Sequence, residues 1–272
     1  MRILFLGDIV GKGGRAAVVE RVPALRADHA LDIVVVNGEN AAHGFGITER
    51  ICEELLDAGI DVITTGNHVW DQREALTFID RQDRLVRPAN FPAGTPGRGA
   101  ILVESAGGHR VLVINIMGRV FMDPLDDPFR VIDENVNTCA LGRDVDAIVV
   151  DIHAEATSEK MAMGHFLDGR ASLVVGTHSH VPTADTQILP QGTAYQTDAG
   201  MCGCYDSVIG MDKQEPLNRF VTKLPSARMA PADGAVTVCG VIVETDPATG
   251  LAVSAEPLRL GGRLIPAAPS AG

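Results

Sequence analysis

Short apolar runs alternate with amphipathic stretches in the first part of the chain, and this alternation constrains the fold more than any other feature. Three aliphatic or β-branched runs, bounded by Gly, Asp or Asn, predict buried strands at residues 3–6, 33–36 and 62–65. Apolar residues at helical spacing predict helices at 15–28 and 48–58, with Thr48 as an N-cap. The order strand–helix–strand–helix–strand predicts an α/β fold with parallel strands and right-handed crossovers.

The rest of the chain continues the α/β pattern with less regular spacing. A helix at 72–79 precedes a Pro/Gly-rich loop, and a Gly-Gly pair predicts a hairpin between strands at 100–104 and 110–116. Further helices are predicted at 158–166 and 213–221, and further strands at 147–151, 172–175, 186–189, 194–197 and 235–244. The strand at 235–244 is predicted to be the last one of the chain. We find no internal repeat or linker, which predicts a single domain over residues 1–272 with a mobile tail from about residue 262.

The charge and the cysteine content exclude several classes of function. With 35 acidic and 23 basic residues the net charge is −12, which disfavours a partner as anionic as a long nucleic acid. A small phosphorylated ligand stays compatible, because bound cations can reverse the local field. Five scattered cysteines favour reduced thiols, and the sequence has neither a membrane-length apolar run nor a signal-type N-terminus. We therefore expect a cytoplasmic protein without a membrane partner.

Polar side chains able to bind a metal follow nearly every predicted strand. They occur in the segments Gly7-Asp8, Asn37-Gly38-Glu39-Asn40, Gly66-Asn67-His68, Asp151-Ile152-His153 and Gly176-Thr177-His178-Ser179-His180. Each alone has a simpler explanation, with Asp8 or Asn67 as a turn residue and His153 as a hydrogen-bonded core histidine. Ligands of open α/β sheets bind at the carboxyl ends of the strands, so five such ends together predict a shared site. In an extended segment, His178 and His180 would share a face and point at this site.

These residue types are the ones that two-metal hydrolysis of a phosphate ester requires. Two divalent ions about 3.5–4 Å apart need a bridging carboxylate with imidazole and oxygen ligands around it. The ions lower the pKa of a bridging water and so produce the attacking hydroxide. A histidine outside the ligand set can stabilise charge on the phosphoryl oxygens or protonate the leaving group.

Other catalytic motifs fit the chain less well. The segment GDIVGKGGR has too few residues between its glycines for a phosphate-binding loop, and Gly13 follows Lys12 where Ser or Thr is required. Neither a G-x-G-x-x-G dinucleotide motif nor a G-x-S-x-G nucleophile elbow is present. Cys202-Gly-Cys204 offers a metal or redox pair, but its loop setting and the lack of a second cysteine pair disfavour a functional role.

Taken together, the polar segments resemble the calcineurin-like metallophosphoesterase superfamily. The stretches MRILFLGDIVGKGGR, VNGENAAHGFGIT, TTGNHVWD, GTHSHVPTADTQI and YDSVIGMDK are similar to the bacterial YmdB-like group, the 2′,3′-cyclic-nucleotide 2′-phosphodiesterases, over about residues 1–243. The resemblance implies a four-layer α/β/β/α sandwich with a dinuclear metal site at the carboxyl ends of the strands. It also implies hydrolysis of small phosphodiesters at the 2′-ester bond, and a homo-oligomer.

The resemblance implies a role for each polar residue at the strand ends. Glu39 would bridge the two metals, Asp8, Asn40 and His180 would complete the first site, and Asn67, His153 and His178 the second. His68 would be the catalytic histidine on the leaving-group side. The wider superfamily has a histidine where this chain has Val10, and Asn40 would fill the vacated position with an amide oxygen. That harder ligand set and the subfamily resemblance favour iron, with manganese and zinc as alternatives.

Two alternatives to the diesterase stay open at the level of sequence. One is a phosphomonoesterase or protein phosphatase with the same metals, and the other is a nucleotide-sensing regulatory protein with weak catalysis. His43 lies beside glycines that permit close approach to a ligand, although a solvated loop histidine is the simpler interpretation. Tyr205 and Asp206 could shape the pocket or an oligomer contact.

Overall fold

Two mixed β-sheets form the centre of the molecule. The structure is a computed structural model, and it describes residues 1–268. The strands are β1 (Arg2–Leu6), β2 (Asp8–Ile9), β3 (Ile33–Asn37), β4 (Val62–Thr64), β5 (Ala100–Glu104), β6 (Arg110–Met117), β7 (Ala147–His153), β8 (Leu173–Thr177), β9 (Gln187–Ile188), β10 (Ala194–Gln196), β11 (Met201–Cys204), β12 (Val236–Thr245) and β13 (Ala252–Leu260). The helices are α1 (Gly11–Asp28), α2 (Glu49–Asp57), α3 (Ala75–Phe78), α4 (Pro128–Val136), α5 (Thr157–Phe166) and α6 (Gln214–Thr222), and a 3-10 turn follows α3 at Ile79–Arg81. Among the described helices, none combines the length and the apolar character that a membrane span requires.

Each sheet combines parallel and antiparallel pairing. The seven-stranded sheet has the order β2-β11-β12-β1-β3-β4, with β13 paired to β12; β1, β3 and β4 are parallel, and β12 runs antiparallel to β1. The six-stranded sheet has the order β5-β6-β7-β8-β10-β9, parallel from β6 to β10 and antiparallel at both edges. Because parallel strands within a sheet end at the same side, the carboxyl ends of β1, β3 and β4 are neighbours, as are those of β7 and β8.

Strand β1 illustrates how the core is divided. Its alternate side chains point to opposite faces, so Leu4 and Leu6 pack with apolar residues of α1 and α2, while Ile3 and Phe5 pack with residues of the other sheet, among them Val149. On the outer face of the six-stranded sheet, a third apolar cluster joins strand residues to α4 and α5. The two sheets therefore face each other across a continuous apolar layer, which holds their carboxyl ends in a fixed relation.

The predicted strands of the first part of the chain are confirmed, including the parallel pairing of β1 with β3 and of β3 with β4. Thr48 caps α2, because its side-chain oxygen accepts the Ile51 N–H at 3.3 Å. The hairpin of β5 and β6 is confirmed as well. The helix predicted at 72–79 is wrong in extent, because only Ala75–Phe78 is helical and the turns before it carry His68.

Helix α4 and the strands β2, β11 and β13 were not predicted from the sequence. Helix α4 begins after Asp127, whose carboxylate accepts two backbone N–H groups, and Pro128 is its first residue. This Asp-Pro pair is a readable start signal. Strands β2 and β11 are too short to show periodicity. Residues 235–244 do not form the last strand, since β13 pairs with β12 over most of its length.

Two expectations for the second half need correction or qualification. Cys202 and Cys204 lie in the buried strand β11 and not in a loop, and burial raises the pKa of the Cys202 thiol well above its ordinary value. A buried neutral thiol is a poor metal ligand and a poor nucleophile. Within the tail predicted to be mobile, Ala267 exchanges backbone hydrogen bonds with Arg259, while residues 269–272 lie outside the described part of the chain.

Candidate metal centre

The polar residues at the strand ends converge at one side of the two sheets. Asp8 begins β2 directly after β1, and Glu39 follows β3 in the same sheet. His153 ends β7 and His178 follows β8 in the other sheet. The structure brings together all seven side chains expected around a metal, namely Asp8, Glu39, Asn40, Asn67, His153, His178 and His180.

A first group of ligand atoms surrounds the buried imidazole of His153. Its Nε2 lies 2.9 Å from Asn67 Oδ1, 3.1 Å from Glu39 Oε1 and 3.1 Å from His178 Nδ1. Ligand atoms of Glu39, His153 and His178 lie within 4.8 Å of one another. Lone pairs crowded at these distances repel one another unless protons or a cation lie between them, so the group fits a metal ion.

A second group surrounds His180. Its Nε2 lies 3.1 Å from the Asn40 carboxamide nitrogen and 3.8 Å from Asp8 Oδ1. Asp8 is fully buried, and within the described part of the chain its Oδ1 has no hydrogen-bond partner. A buried carboxylate oxygen without a donor is costly in free energy, and a cation would supply the missing partner. Glu39 also contacts this group, since its Oε1 accepts the Asn40 amide at 3.3 Å.

The loop from Thr177 to His180 is not extended. His178 (φ 93°) and His180 (φ 65°) both have left-handed backbone conformations, which residues other than glycine rarely adopt. The prediction that the two imidazoles share one face of an extended segment is therefore wrong. The left-handed turns direct His178 toward His153 and His180 toward Asn40, so that one tight loop contributes to both groups.

A buried ion pair holds this loop in place. Lys160 Nζ donates to the carbonyl of Thr177 at 2.7 Å and to Asp198 Oδ2 at 2.7 Å. Asp198 Oδ2 also accepts the backbone N–H of Ser179 at 3.0 Å. Both charged side chains are buried, and their mutual pairing satisfies the condition under which buried charges are tolerated. The pair therefore contacts the backbone on both sides of His178.

The buried charges of the site shift one another's pKa values. Burial raises the pKa of Asp8 to about 6, and nearby imidazoles offset part of the effect. Burial also opposes ionisation of Glu39, but His153 and His68 outweigh it and lower the pKa of Glu39 to about 2. Although burial alone would lower the pKa of His153, Glu39 raises it to about 9. Burial and the adjacent His153 lower the pKa of His178 to about 3, which keeps His178 in the neutral form that binds metals.

His68 lies at the rim of the site, outside both groups. Its backbone N–H donates to Glu39 Oε2 at 3.0 Å, and its Nδ1 lies 2.8 Å from Asp71 Oδ2. The ring packs edge-on against Phe45, with 5.1 Å between the centroids. Asp71 thereby orients the imidazole and leaves Nε2 as the nitrogen available to a ligand. His68 and Phe45 line a cavity of about 270 Å³ that also includes Glu39 and His178.

Gly66 permits the close approach of the ligand groups. A Cβ at this position would lie 2.3 Å from His153 Nε2 and 2.5 Å from Glu39 Oε2. A side chain there would displace atoms of the first group. The lack of a side chain at Gly66, the crowded acceptors around His153 and the unpartnered oxygen of Asp8 all fit bound cations. A mixture of carboxylate, amide and imidazole ligands suits iron, manganese or zinc.

Three other residues singled out in the sequence lie outside the two groups. His43 is exposed and lines a separate cavity near the starts of α1 and α2. Tyr205 contacts the site through the backbone, because its hydroxyl donates to the carbonyl of His180 at 3.0 Å. Asp206 forms ion pairs with basic side chains at the surface. Of the three, only Tyr205 contacts a residue of the two groups.

Several side chains that support the site are absent from the predicted set. The structure adds Phe45, Asp71, Asp151, Glu155, Lys160, Thr177 and Asp198. Asp151 lies two residues before His153 and therefore on the same face of β7. This spacing could have indicated from the sequence that Asp151 lies near the site. Glu155 follows the same strand, and its Oε2 lies 3.1 Å from His178 Nε2. Lys160 and Asp198 carry no such signal, since both are distant in sequence from the loop that they support.

Sequence and structure relate the chain to proteins already described. A family model described as YmdB-like protein matches residues 4–258. A 2′,3′-cyclic-nucleotide 2′-phosphodiesterase from Bacillus subtilis (strain 168) is 52% identical over 256 residues, which cover 94% of this chain and 96% of the relative. A crystal structure of a novel phosphatase from Mycoplasma pneumoniae has a TM-score of 0.88 at 34% identity, covering 96% of this chain and 93% of that one. A hypothetical protein from Thermus thermophilus has a TM-score of 0.89 at 43% identity, covering 97% of this chain and 100% of that one.

Proposed function

Because the chain belongs to the YmdB-like protein family, we propose that it hydrolyses 2′,3′-cyclic nucleotides and similar small phosphodiesters at the 2′-ester bond. Its enzyme class is that of the phosphoric diester hydrolases. The observation that carries the proposal is the position of Glu39, whose Oε1 contacts the His153 imidazole of the first group and the Asn40 side-chain amide of the second. A carboxylate in this position suits a pair of metal ions, the arrangement used in two-metal hydrolysis.

The two groups of side chains support one assignment of the metal ligands. In this proposal Glu39 would bridge the ions, Asp8, Asn40 and His180 would complete one site, and Asn67, His153 and His178 would complete the other. Iron is the favoured metal, with manganese and zinc as alternatives, because four ligands offer oxygen and make the set harder than a nitrogen-rich one. When bound, the ions would polarise the phosphate and lower the pKa of the attacking water.

The position of His68 supports a role as donor of the proton that the leaving oxygen requires. Asp71 holds Nδ1 at 2.8 Å, so the proton on Nε2 is the one directed to a ligand in the cavity. In hydrolysis of the 2′-ester, the P–O2′ bond breaks, water adds its hydroxyl to phosphorus, and O2′ takes the proton from Nε2. The proton released by the water restores His68. The products are a 3′-phosphate and a free 2′-hydroxyl.

Part of the cavity wall is apolar, which supports a nucleoside as the remainder of the substrate. The apolar lining consists of Phe45, Ile209, Met211 and Met229. Phe45 and Met229 pack against a small cluster of buried side chains that includes Met211. Aromatic rings and thioethers offer polarisable surface on which a flat base can stack. A substrate without a base would leave this surface unused.

Other observations support the setting of the proposed enzyme. All five cysteines are free thiols, which is typical of a reducing compartment and supports a cytoplasmic location. Exposed apolar side chains on and after α6 support a homo-oligomer, namely Leu217, Phe220, Val221 and Leu224. Apolar clusters with helices on the outer face of each sheet support the four-layer α/β/β/α description. The net charge of −12 supports a small substrate rather than a long nucleic acid.

The test compares diesters with monoesters on metal-loaded protein. We expect turnover of 2′,3′-cyclic AMP and of bis(p-nitrophenyl) phosphate, and much slower turnover of p-nitrophenyl phosphate. Faster cleavage of the monoester would favour the phosphomonoesterase or protein phosphatase alternative. Tight binding of the cyclic nucleotide with negligible turnover would favour the nucleotide-sensing alternative. Failure on both diesters by metal-loaded protein would contradict the proposal.

A further inference from the structure

Asp151 lies behind the metal centre, where four strands from the two sheets meet. Its Oδ1 accepts the hydroxyl of Thr177 at 2.6 Å. Its Oδ2 accepts the Thr64 hydroxyl at 2.5 Å and the Asn37 amide at 3.1 Å. All four residues are fully buried. Three side-chain donors are therefore directed at one buried carboxyl group.

The hydrogen bonds of Thr177 determine which nitrogen of His153 carries a proton. A threonine hydroxyl has a single proton, and here it is donated to Asp151. The oxygen of the same hydroxyl lies 2.8 Å from His153 Nδ1, so it accepts a proton from that nitrogen. In the neutral imidazole, a proton on Nδ1 leaves Nε2 with a free lone pair. Nε2 is the atom that faces Glu39, Asn67 and His178.

We propose that Asp151 is a positioning residue that acts through Thr177 to hold His153 as the Nδ1–H tautomer, with Nε2 directed to the metal. The inference rests on the metal-binding part of the proposed function and not on the substrate. Metal-binding histidines depend on the partner of their second nitrogen for orientation and basicity. In this chain the carboxylate reaches the imidazole through a hydroxyl, because Asp151 and His153 share a face of β7 and Thr177 lies beside them on β8.

The Asp151 carboxylate is also linked, through Asn37, to Glu39 on the other sheet. Asn37 donates to Asp151 Oδ2, and its own Oδ1 accepts the backbone N–H of Glu39 at 3.1 Å. Asp151 therefore orients His153 through Thr177 and the backbone of Glu39 through Asn37. Because these two ligands belong to opposite sheets, one buried carboxylate sets the relation between them.

The experiment measures zinc affinity in competition with a chelator, without any substrate. We expect Thr177→Val to weaken binding by about 10- to 100-fold, as loss of such partners does elsewhere. Thr177→Ser keeps the hydroxyl and should restore the affinity to near the native value. Thr64→Val is the matched control, because it removes another hydroxyl donor to Asp151 but leaves the contact between Thr177 and His153 intact. Equal losses in Thr64→Val and Thr177→Val would overturn the inference and indicate a merely structural role.

Nitrogen NMR of the His153 ring in metal-free protein gives a second readout. In the neutral ring we expect the proton on Nδ1 in the native protein, because that nitrogen donates to the Thr177 hydroxyl. In Asp151→Asn an amide can donate to Thr177, whose hydroxyl then donates to Nδ1, so the proton should move to Nε2. A proton on Nε2 in the native protein would overturn the inference. If the native protein shows the expected tautomer and affinity but cleaves no diester, the proposed substrate is wrong and this inference stands.

Discussion

Glu39 and His153 form a buried carboxylate–imidazole contact between the two sheets, with 3.1 Å between Oε1 and Nε2. Glu39 follows β3 of the seven-stranded sheet, and His153 ends β7 of the six-stranded one. The apolar layer between the sheets therefore sets the distance between the two halves of the site.

Replacing the carboxylate that joins the two groups should remove the shared ligand. For Glu39→Gln we expect metal content to fall from two ions per chain to at most one, because an amide does not bridge two cations as a carboxylate does. Turnover should fall by at least about 100-fold. Elemental analysis of protein purified without chelator measures the metal, and Glu20→Gln on the exposed side of α1 is the control. Two ions per chain in Glu39→Gln would contradict the bridging role.

Removing the imidazole at the rim should affect chemistry and not metal binding. For His68→Ala we expect turnover of 2′,3′-cyclic AMP to fall by about 10²- to 10⁴-fold, the usual contribution of general acid catalysis. Metal content should stay native, because His68 lies outside both groups of ligand atoms. His43→Ala, which changes an exposed histidine in a separate cavity, should leave both quantities unchanged. Loss of metal in His68→Ala would instead place this residue among the ligands.

The apolar wall should contribute to affinity for the base. For Phe45→Ala we expect KM for 2′,3′-cyclic AMP to rise about tenfold, the size of one base–aromatic stacking contact. Phe45→Leu retains apolar bulk without a π-face and should show an intermediate KM. The KM for a cyclic phosphate of glycerol, which carries no base, should stay the same in all three proteins. An equal rise for both substrates would indicate that Phe45 acts only by packing against His68.

Breaking the buried ion pair should disorder the loop that carries two ligands. Lys160→Met leaves Asp198 buried and without its cationic partner, a change that costs about 3–5 kcal/mol in comparable pairs. We expect a lower melting temperature together with weaker metal binding. In the double variant Lys160→Met/Asp198→Asn the unpaired charge is gone, so the melting temperature should recover in part. Native metal affinity in Lys160→Met would show that the loop keeps its conformation without the pair.

Neutralising Asp8 should stabilise the metal-free protein at the expense of metal binding. The Oδ1 of Asp8 is buried without a donor, so ionisation of this carboxyl is unfavourable when no cation is present. For Asp8→Asn we expect a higher melting temperature than the native protein after chelation, and a lower one in the presence of metal. Thermal unfolding with and without chelator measures both. A lower melting temperature of Asp8→Asn in both conditions would contradict this view of the site.

Much of the fold and of the site could be predicted from local patterns. The strands β1, β3 and β4 are apolar runs bounded by turn residues, and Thr48 is a cap that can be recognised one residue before its helix. The polar residues follow these strands directly in the chain. Helix α4 could have been found from Asp127-Pro128, whereas β2 and β11 are two and four residues long and form only because neighbouring strands offer them hydrogen-bond partners.

The order of residues by itself determined which side chains stand at the ends of strands, because apolar periodicity and turn chemistry act between near neighbours in the chain. Only the tertiary structure decided how they meet. The left-handed turns at His178 and His180 lie in a loop whose backbone is hydrogen-bonded by Lys160 and Asp198, which come from distant segments. The contact of Glu39 with His153 exists because the two sheets pack against each other through one apolar layer. No local sequence pattern encodes the position of one sheet relative to the other.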